Sequence, residues 1–197
     1  MRQFNTIAGI GASTGGPKAL ECVLAELPGD FAAPVLIAQH MPPGFTASLA
    51  ARFDQTVAIR VKEATQREII EPATAYIAPG DYHMTVKQSG TDYSIELTRD
   101  AKRHGQRPSV DVLFESLARL QHVRKMCAVL TGMGRDGSEG IKALKMQDQQ
   151  AVIVAESELT SVVYGMPKAA MDTRLVTYSV PIQQIGGLIH HLARPRL

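Results

Sequence analysis

Five short runs, 6–10, 34–38, 74–78, 126–130 and 151–154, are apolar along almost their whole length rather than at alternate positions. A strand of that kind needs cover on both faces, a condition met chiefly in parallel sheets flanked by helices. Between the runs, apolar residues recur at helical spacing: Leu20, Val23, Leu24 and Leu27; Phe45, Leu49 and Phe53; Val110, Leu113, Leu117 and Leu120, with Ser109 placed to cap the last of these. Ile182, Ile185, Ile189 and Leu192 predict a terminal helix after Pro181. The alternation predicts an α/β fold: a doubly wound, mostly parallel sheet with helices on both faces, its crossovers right-handed and its functional loops at the carboxyl ends of the strands. Residues 84–97, with the polar Gln88–Asp92 in the middle, predict a β-hairpin insertion at the sheet edge or folded over the sheet.

With 197 residues, 45% hydrophobic and 20% charged, the chain is expected to form one domain over 1–197 and to bury roughly 70% of its unfolded surface. Cys22 and Cys127 lack C-x-x-C spacing and read as reduced core residues. There is no secretory leader and no run of 18 apolar residues, which predicts a soluble cytoplasmic protein without membrane insertion. The net charge of +2 is mild, and the basic residues Arg99, Lys102, Arg103 and Arg107 have no interleaved aromatics. They read as a solvated loop able to steer an acidic protein surface, and no nucleic-acid partner is expected. His104, His122, His190 and His191 lack carboxylate or thiolate company, so neither a metal nor a cofactor is expected.

The glycines after the first strand invite a nucleotide-binding reading, which fails twice. Gly9 and Gly11 form G-x-G, but the third glycine position is Thr14, and the next strand ends on Gln39-His40 where an acid would hold a ribose. Gly-Lys-Ser/Thr is absent as well. Gly11-Ala12-Ser13-Thr14-Gly15 instead fits a nucleophile elbow, a sharp strand-to-helix bend that exposes a hydroxyl; the alternative is a purely structural turn.

Two further strand ends carry suitable partners. His40 follows the second run and precedes the stiff Met41-Pro42-Pro43-Gly44 turn, so it emerges beside Ser13 if the two strands are neighbours. There it can act as a general base, or as an ordinary structural histidine. Asp136, after Leu130 and before the helix bearing Ile141 and Leu144, can orient the imidazole or simply cap a turn. The order Ser, His, Asp differs from that of α/β-hydrolases, which argues against that fold and not against a triad.

Six blocks stand in order along the chain: Gly9–Gly16, Gln39–Phe45, Tyr76–Met84, Arg107–Asp111, Leu130–Gly137 and Gly165-Met166-Pro167. In them the chain resembles the C-terminal catalytic domain of the chemotaxis protein-glutamate methylesterase (CheB) family. That resemblance implies a serine hydrolase that removes methyl groups from glutamate γ-methyl esters on cytoplasmic helices of chemoreceptors and also deamidates certain receptor glutamines. The alternatives are a serine esterase outside chemotaxis and a noncatalytic signalling adaptor. The resemblance implies Ser13, His40 and Asp136 as the triad and the Met133 amide as an oxyanion donor, with support from Thr14, Gly132 and Gly134. Met41 and Met166 are candidates for an apolar slot or for the core, and His83 for the substrate rim. Family members usually join this part to a receiver domain, and no acidic phosphoacceptor pocket precedes the first strand here, so no receiver domain is expected within 1–197 and a regulatory partner is possible. Ala155-Glu156-Ser157-Glu158 and Arg103–Arg107 depart from the family pattern, which implies altered loop contacts.

Overall fold

The computed structural model describes residues 4–194. Its elements run β1 (Thr6–Ala12), α1 (Gly16–Ala25), β2 (Val35–Gln39), α2 (Phe45–Thr56), β3 (Arg60–Glu63), β4 (Thr74–Ile77), β5 (His83–Ser89), β6 (Asp92–Thr98), α3 (Val110–Ala118), β7 (Arg124–Val129), α4 (Ser138–Gln147), β8 (Val152–Glu156), α5 (Met166–Asp172), β9 (Tyr178–Val180) and α6 (Ile182–Ala193). Seven strands form one sheet in the order β3-β4-β2-β1-β7-β8-β9, and every neighbouring pair is parallel. The five apolar runs are its five inner strands. The polar edge strands β3 and β9 escape the sequence patterns: Arg-Val-Lys-Glu and Tyr-Ser-Val carry too few apolar residues to stand out, as suits edges that face water.

Side-chain alternation on the central strand sorts the helices. Ala8, Ile10 and Ala12 face α1, α2 and α6, packing with Leu20, Leu24, Phe53 and Ile185. Ile7 faces the opposite way, into a core made by Leu113, Phe114 and Leu117 of α3, Ile141 and Leu144 of α4 and Met166 of α5. The hairpin β5-β6 joins this second core through Met84, Val86 and Ile95 and is tied to α3, with the Val86 amide donating to Ser116 Oγ at 3.1 Å. It therefore lies over α3 and is not an edge of the main sheet.

Strand order reverses at β1, whose neighbours β2 and β7 lead to opposite halves of the sheet. Such a switch point opens a crevice at the carboxyl ends of the strands. The spacing Gly9-x-Gly11 serves helix packing here. A Cβ on Gly9 would meet Leu117 Cδ1 at 2.7 Å, and one on Gly11 would meet Val110 Cγ1 at 2.2 Å. The absent side chains let the first turn of α3 settle directly on β1, which brings that helix end to the crevice.

Gly11→Ala is accordingly expected to lower stability by about 1–3 kcal/mol through overpacking, seen as a lower urea midpoint at unchanged slope. Combining it with Val110→Ala should cost less than the two single losses added, and strict additivity would show that the contact is not what makes Gly11 necessary.

Candidate active site

Ladder register brings Ser13 and His40 together. Ala12 is paired with Gln39 in the parallel ladder, so the next residues, Ser13 and His40, leave the sheet side by side on strands about 4.8 Å apart. The His40 amide donates to Ala12 O at 3.0 Å, and the Ser13 amide donates to Thr131 O at 3.0 Å. The serine-bearing turn closes with Gly16 N donating to Ser13 O at 2.8 Å. Ser13 and His40 share the wall of a cleft of about 430 Å³ with Met41, Pro42, Pro43, Asp81, Lys102 and Arg107.

Asp136 reaches the same place from the turn after β7. Its carboxylate accepts from His40 Nε2 at 2.7 Å and Val110 N at 2.7 Å on one oxygen, and from Ser109 Oγ at 2.8 Å and Asp111 N at 2.9 Å on the other. Two of the four donors are backbone amides of the first turn of α3, where the helix dipole also favours negative charge. Burial alone pushes this carboxyl up, but His40 and the amides of Asp111 and Val110 outweigh it and hold it below the ordinary carboxylate range. An ionised carboxylate only accepts, so in the neutral ring Nε2 carries the proton and the lone pair lies on Nδ1. Nδ1 is buried and bonds to no protein group among the described residues. The nitrogen that faces the carboxylate is thus Nε2, and Nδ1 is left as the acceptor nitrogen of the ring.

A second carboxylate mirrors the first. Asp111 Oδ1 accepts from Gly137 N and Gly140 N at the start of α4, both at 2.8 Å, and Oδ2 meets His104 Nε2 at 3.2 Å. Burial, reinforced by the charge of Asp136, raises the Asp111 carboxyl above its usual range despite those amides. Each of α3 and α4 therefore receives an acid from the other's segment at its start.

The turn after Leu130 fits closely against Ser13. A Cβ on Gly132 would meet Ser13 Cβ at 2.7 Å and Met166 Sδ at 2.4 Å, so only glycine allows this approach. The next amide, Met133 N, donates to no protein acceptor among the described residues, while the Met133 side chain is 73% exposed. Gly134 takes φ +92°, a left-handed turn position. Arg107 braces the far wall: it donates to Asp81 Oδ1 through Nη2 at 2.6 Å and to the carbonyls of Arg99 and Asp100 through Nη1, each at 2.8 Å. Hydrogen bonding to Arg107 holds the Asp81 carboxyl below its usual range. The basic stretch is largely consumed internally, since Arg103 pairs with Glu115 at 2.7 Å and Arg99 stacks over Tyr82.

Two of the sequence-based rim candidates lie elsewhere. His83 is 1% exposed at the start of β5, its Nε2 donating to Ala101 O at 3.1 Å, because the hairpin folds over α3 and buries its first residue. Met166 is 1% exposed beneath Gly132 and belongs to the core. Met41 does line the cleft. Thr14 is exposed, and among the described residues its hydroxyl makes no bond to His40; its carbonyl accepts from Thr131 Oγ1 at 2.9 Å. Sequence patterns do not single out Gln39, whose side chain bonds the Ser13 and His40 carbonyls. They mark Ser109 as a cap without its bond to Asp136, and Asp111 only as part of a motif; the shared position at the start of α3 is the signal that links them.

A family model described as CheB methylesterase matches residues 8–189. The chain belongs to this family. The crystal structure of the Thermotoga maritima CheB methylesterase catalytic domain matches with a TM-score of 0.92 at 38% identity, covering 95% of this chain and 98% of that one. Among curated relatives, a protein of Halalkalibacterium halodurans is 54% identical over 93% of this chain and 53% of its own length. One of Oceanobacillus iheyensis is 48% identical over 93% of this chain and 52% of its own length. Both are named protein-glutamate methylesterase/protein-glutamine glutaminase. The chain spans about half the length of the curated relatives it matches. Among the described residues, no helix is long and apolar enough to cross a membrane.

Because the Asp136 carboxyl is depressed in the fold, its stabilising effect is present above its unfolded pKa of about 3.9 and lost as pH falls through the lower folded value. Asp136→Asn is expected to be less stable than the wild type by about 1–3 kcal/mol at neutral pH, with the gap narrowing as pH falls below the unfolded value of about 3.9. Urea titrations from pH 2 to 7 measure this; a gap that does not vary with pH would mean that the charge is not what the start of α3 holds.

Proposed function

We propose that this chain is a serine hydrolase that demethylates glutamate γ-methyl esters on cytoplasmic helices of chemoreceptors and deamidates receptor glutamines, with Ser13, His40 and Asp136 as its triad. The observation that carries the reading is the buried 2.7 Å Asp136–His40 pair, which leaves Nδ1 as the acceptor nitrogen of a ring that shares a cleft wall with Ser13. The names of the curated relatives support the substrate class. A receiver domain, in the same polypeptide or a separate one, is the regulatory partner in this reading.

The Ser13 hydroxyl attacks the ester carbonyl as its proton passes to His40 Nδ1. Asp136 remains ionised and stabilises the imidazolium through Nε2–H. Negative charge on the tetrahedral oxygen meets the unspent Met133 amide, a preorganised donor that Gly132 allows close to the serine. His40 then returns the proton to the leaving oxygen and methanol departs, leaving an acyl-enzyme. Water, deprotonated by the same nitrogen, attacks that ester; glutamate and the free serine are regenerated. With a glutamine side chain the leaving group is ammonia and the other steps are unchanged. Lys102 at the cleft mouth favours acidic neighbours of the target residue.

Ser13→Ala is expected to lose methanol release from a methylated receptor fragment by about 10⁴-fold or more and to lose ammonia release from a glutamine-bearing fragment to the same degree, with unchanged thermal unfolding. Retained turnover in this variant would sink the assignment. Small-ester hydrolysis without receptor turnover in the wild type would move the enzyme outside chemotaxis.

A further inference from the structure

Gln39 ends β2 one residue before the base, and it is 1% exposed. Its Nε2 donates to Ser13 O at 3.0 Å and to His40 O at 3.0 Å. Both partners are carbonyls, which only accept, so only the amide nitrogen can face them and the orientation of the carboxamide follows. Its oxygen is then directed to the start of α1, where it is buried without a partner among the described residues. The fit there is tight enough that a Cβ on Gly16 would lie 2.0 Å from it.

A buried, unpartnered amide oxygen is a burden that folding alone does not demand. Leucine occupies similar volume and would carry no such penalty. What the carboxamide supplies is two donors, and both go to the residues whose side chains must exchange a proton. The last backbone rung between the strands is His40 N to Ala12 O. Beyond it the twist of neighbouring strands would let the segments diverge. Among the described residues, Gln39 makes the only side-chain hydrogen bonds that join the serine turn to the segment of the histidine.

We propose that Gln39 is a positioning residue for the reaction, a cross-tie that holds Ser13 Oγ within proton-transfer reach of His40 Nδ1. The proposal rests on the triad reading above. Gln39 touches neither substrate nor the reacting atoms, and it acts through the two backbone carbonyls. Its effect should fall on kcat, since the substrate cleft is lined by other side chains. A displacement of about 1 Å between reacting groups can lower a rate by about 100-fold.

The test compares wild type, Gln39→Leu, Gln39→Asn and Ser13→Ala on a methylated receptor fragment, with active sites counted by a fluorophosphonate label and folding followed by thermal unfolding. Gln39→Leu should lose about 10- to 100-fold in kcat per labelled site with KM within about twofold. Gln39→Asn keeps the amide on a shorter stem and should fall between it and the wild type. It also serves if the leucine variant does not fold. If kcat per labelled site stays within about twofold of wild type in whichever variant folds, and lost activity merely tracks lost folded protein, Gln39 is structural only and the proposal is overturned. Full activity in Ser13→Ala would overturn the triad reading instead, so the two failures are separable.

Discussion

The site depends on one carboxylate seated at the start of one helix. Asp136 meets two amides of the first turn of α3, the hydroxyl that caps that helix and the ring of His40, which accounts for all four of its strong acceptor positions. Removing such a group from water would normally favour the neutral acid, and the four donors reverse that preference. Because the carboxylate stays charged, the histidine must present its protonated Nε2 to it. The other nitrogen then carries the lone pair and has no protein partner among the described residues. The charge state of one buried group therefore sets the tautomer of the neutral ring.

That arrangement requires α3 to reach the crevice, and the glycines of β1 make room for it. Gly9 and Gly11 lie under Leu117, Phe114 and Val110, so the helix packs closer to the sheet than any side chain would permit. The reciprocal acid, Asp111, fastens the start of α4 to the same point. Burial, with the charge of Asp136 adding to it, raises the Asp111 carboxyl above its usual range in spite of the α4 amides. The turn between β7 and α4 is held from both sides, which keeps Gly132 close against Ser13.

Much of this is legible in local patterns of the chain. Apolar runs such as Val35–Ala38 and Cys127–Leu130 suit only inner strands, and three chemistry-bearing residues placed after such runs must share one edge of a parallel sheet. Legibility fails where burial depends on distant contacts. Met166 and His83 sit in loop-like sequence beside conspicuous motifs, and only the docking of α5 beneath Gly132 and of the hairpin over α3 removes them from the surface. Helix α5, seven residues long, is too short to show a period of its own. The glycine pair of β1 invites comparison with nucleotide-binding patterns, whereas the side chains that explain it belong to α3, far along the chain.

By itself, the sequence determined the layer architecture, the edge at which the loops gather and the kinds of side chain delivered there, because strand and helix periodicities are local and parallel strands all end on the same side. Tertiary structure alone decided which imidazole nitrogen meets the acid, which amide remains unspent, and that Gln39 spans the serine and histidine segments. Those outcomes depend on ångström-scale packing between elements far apart in the chain, and no local pattern encodes a distance between them.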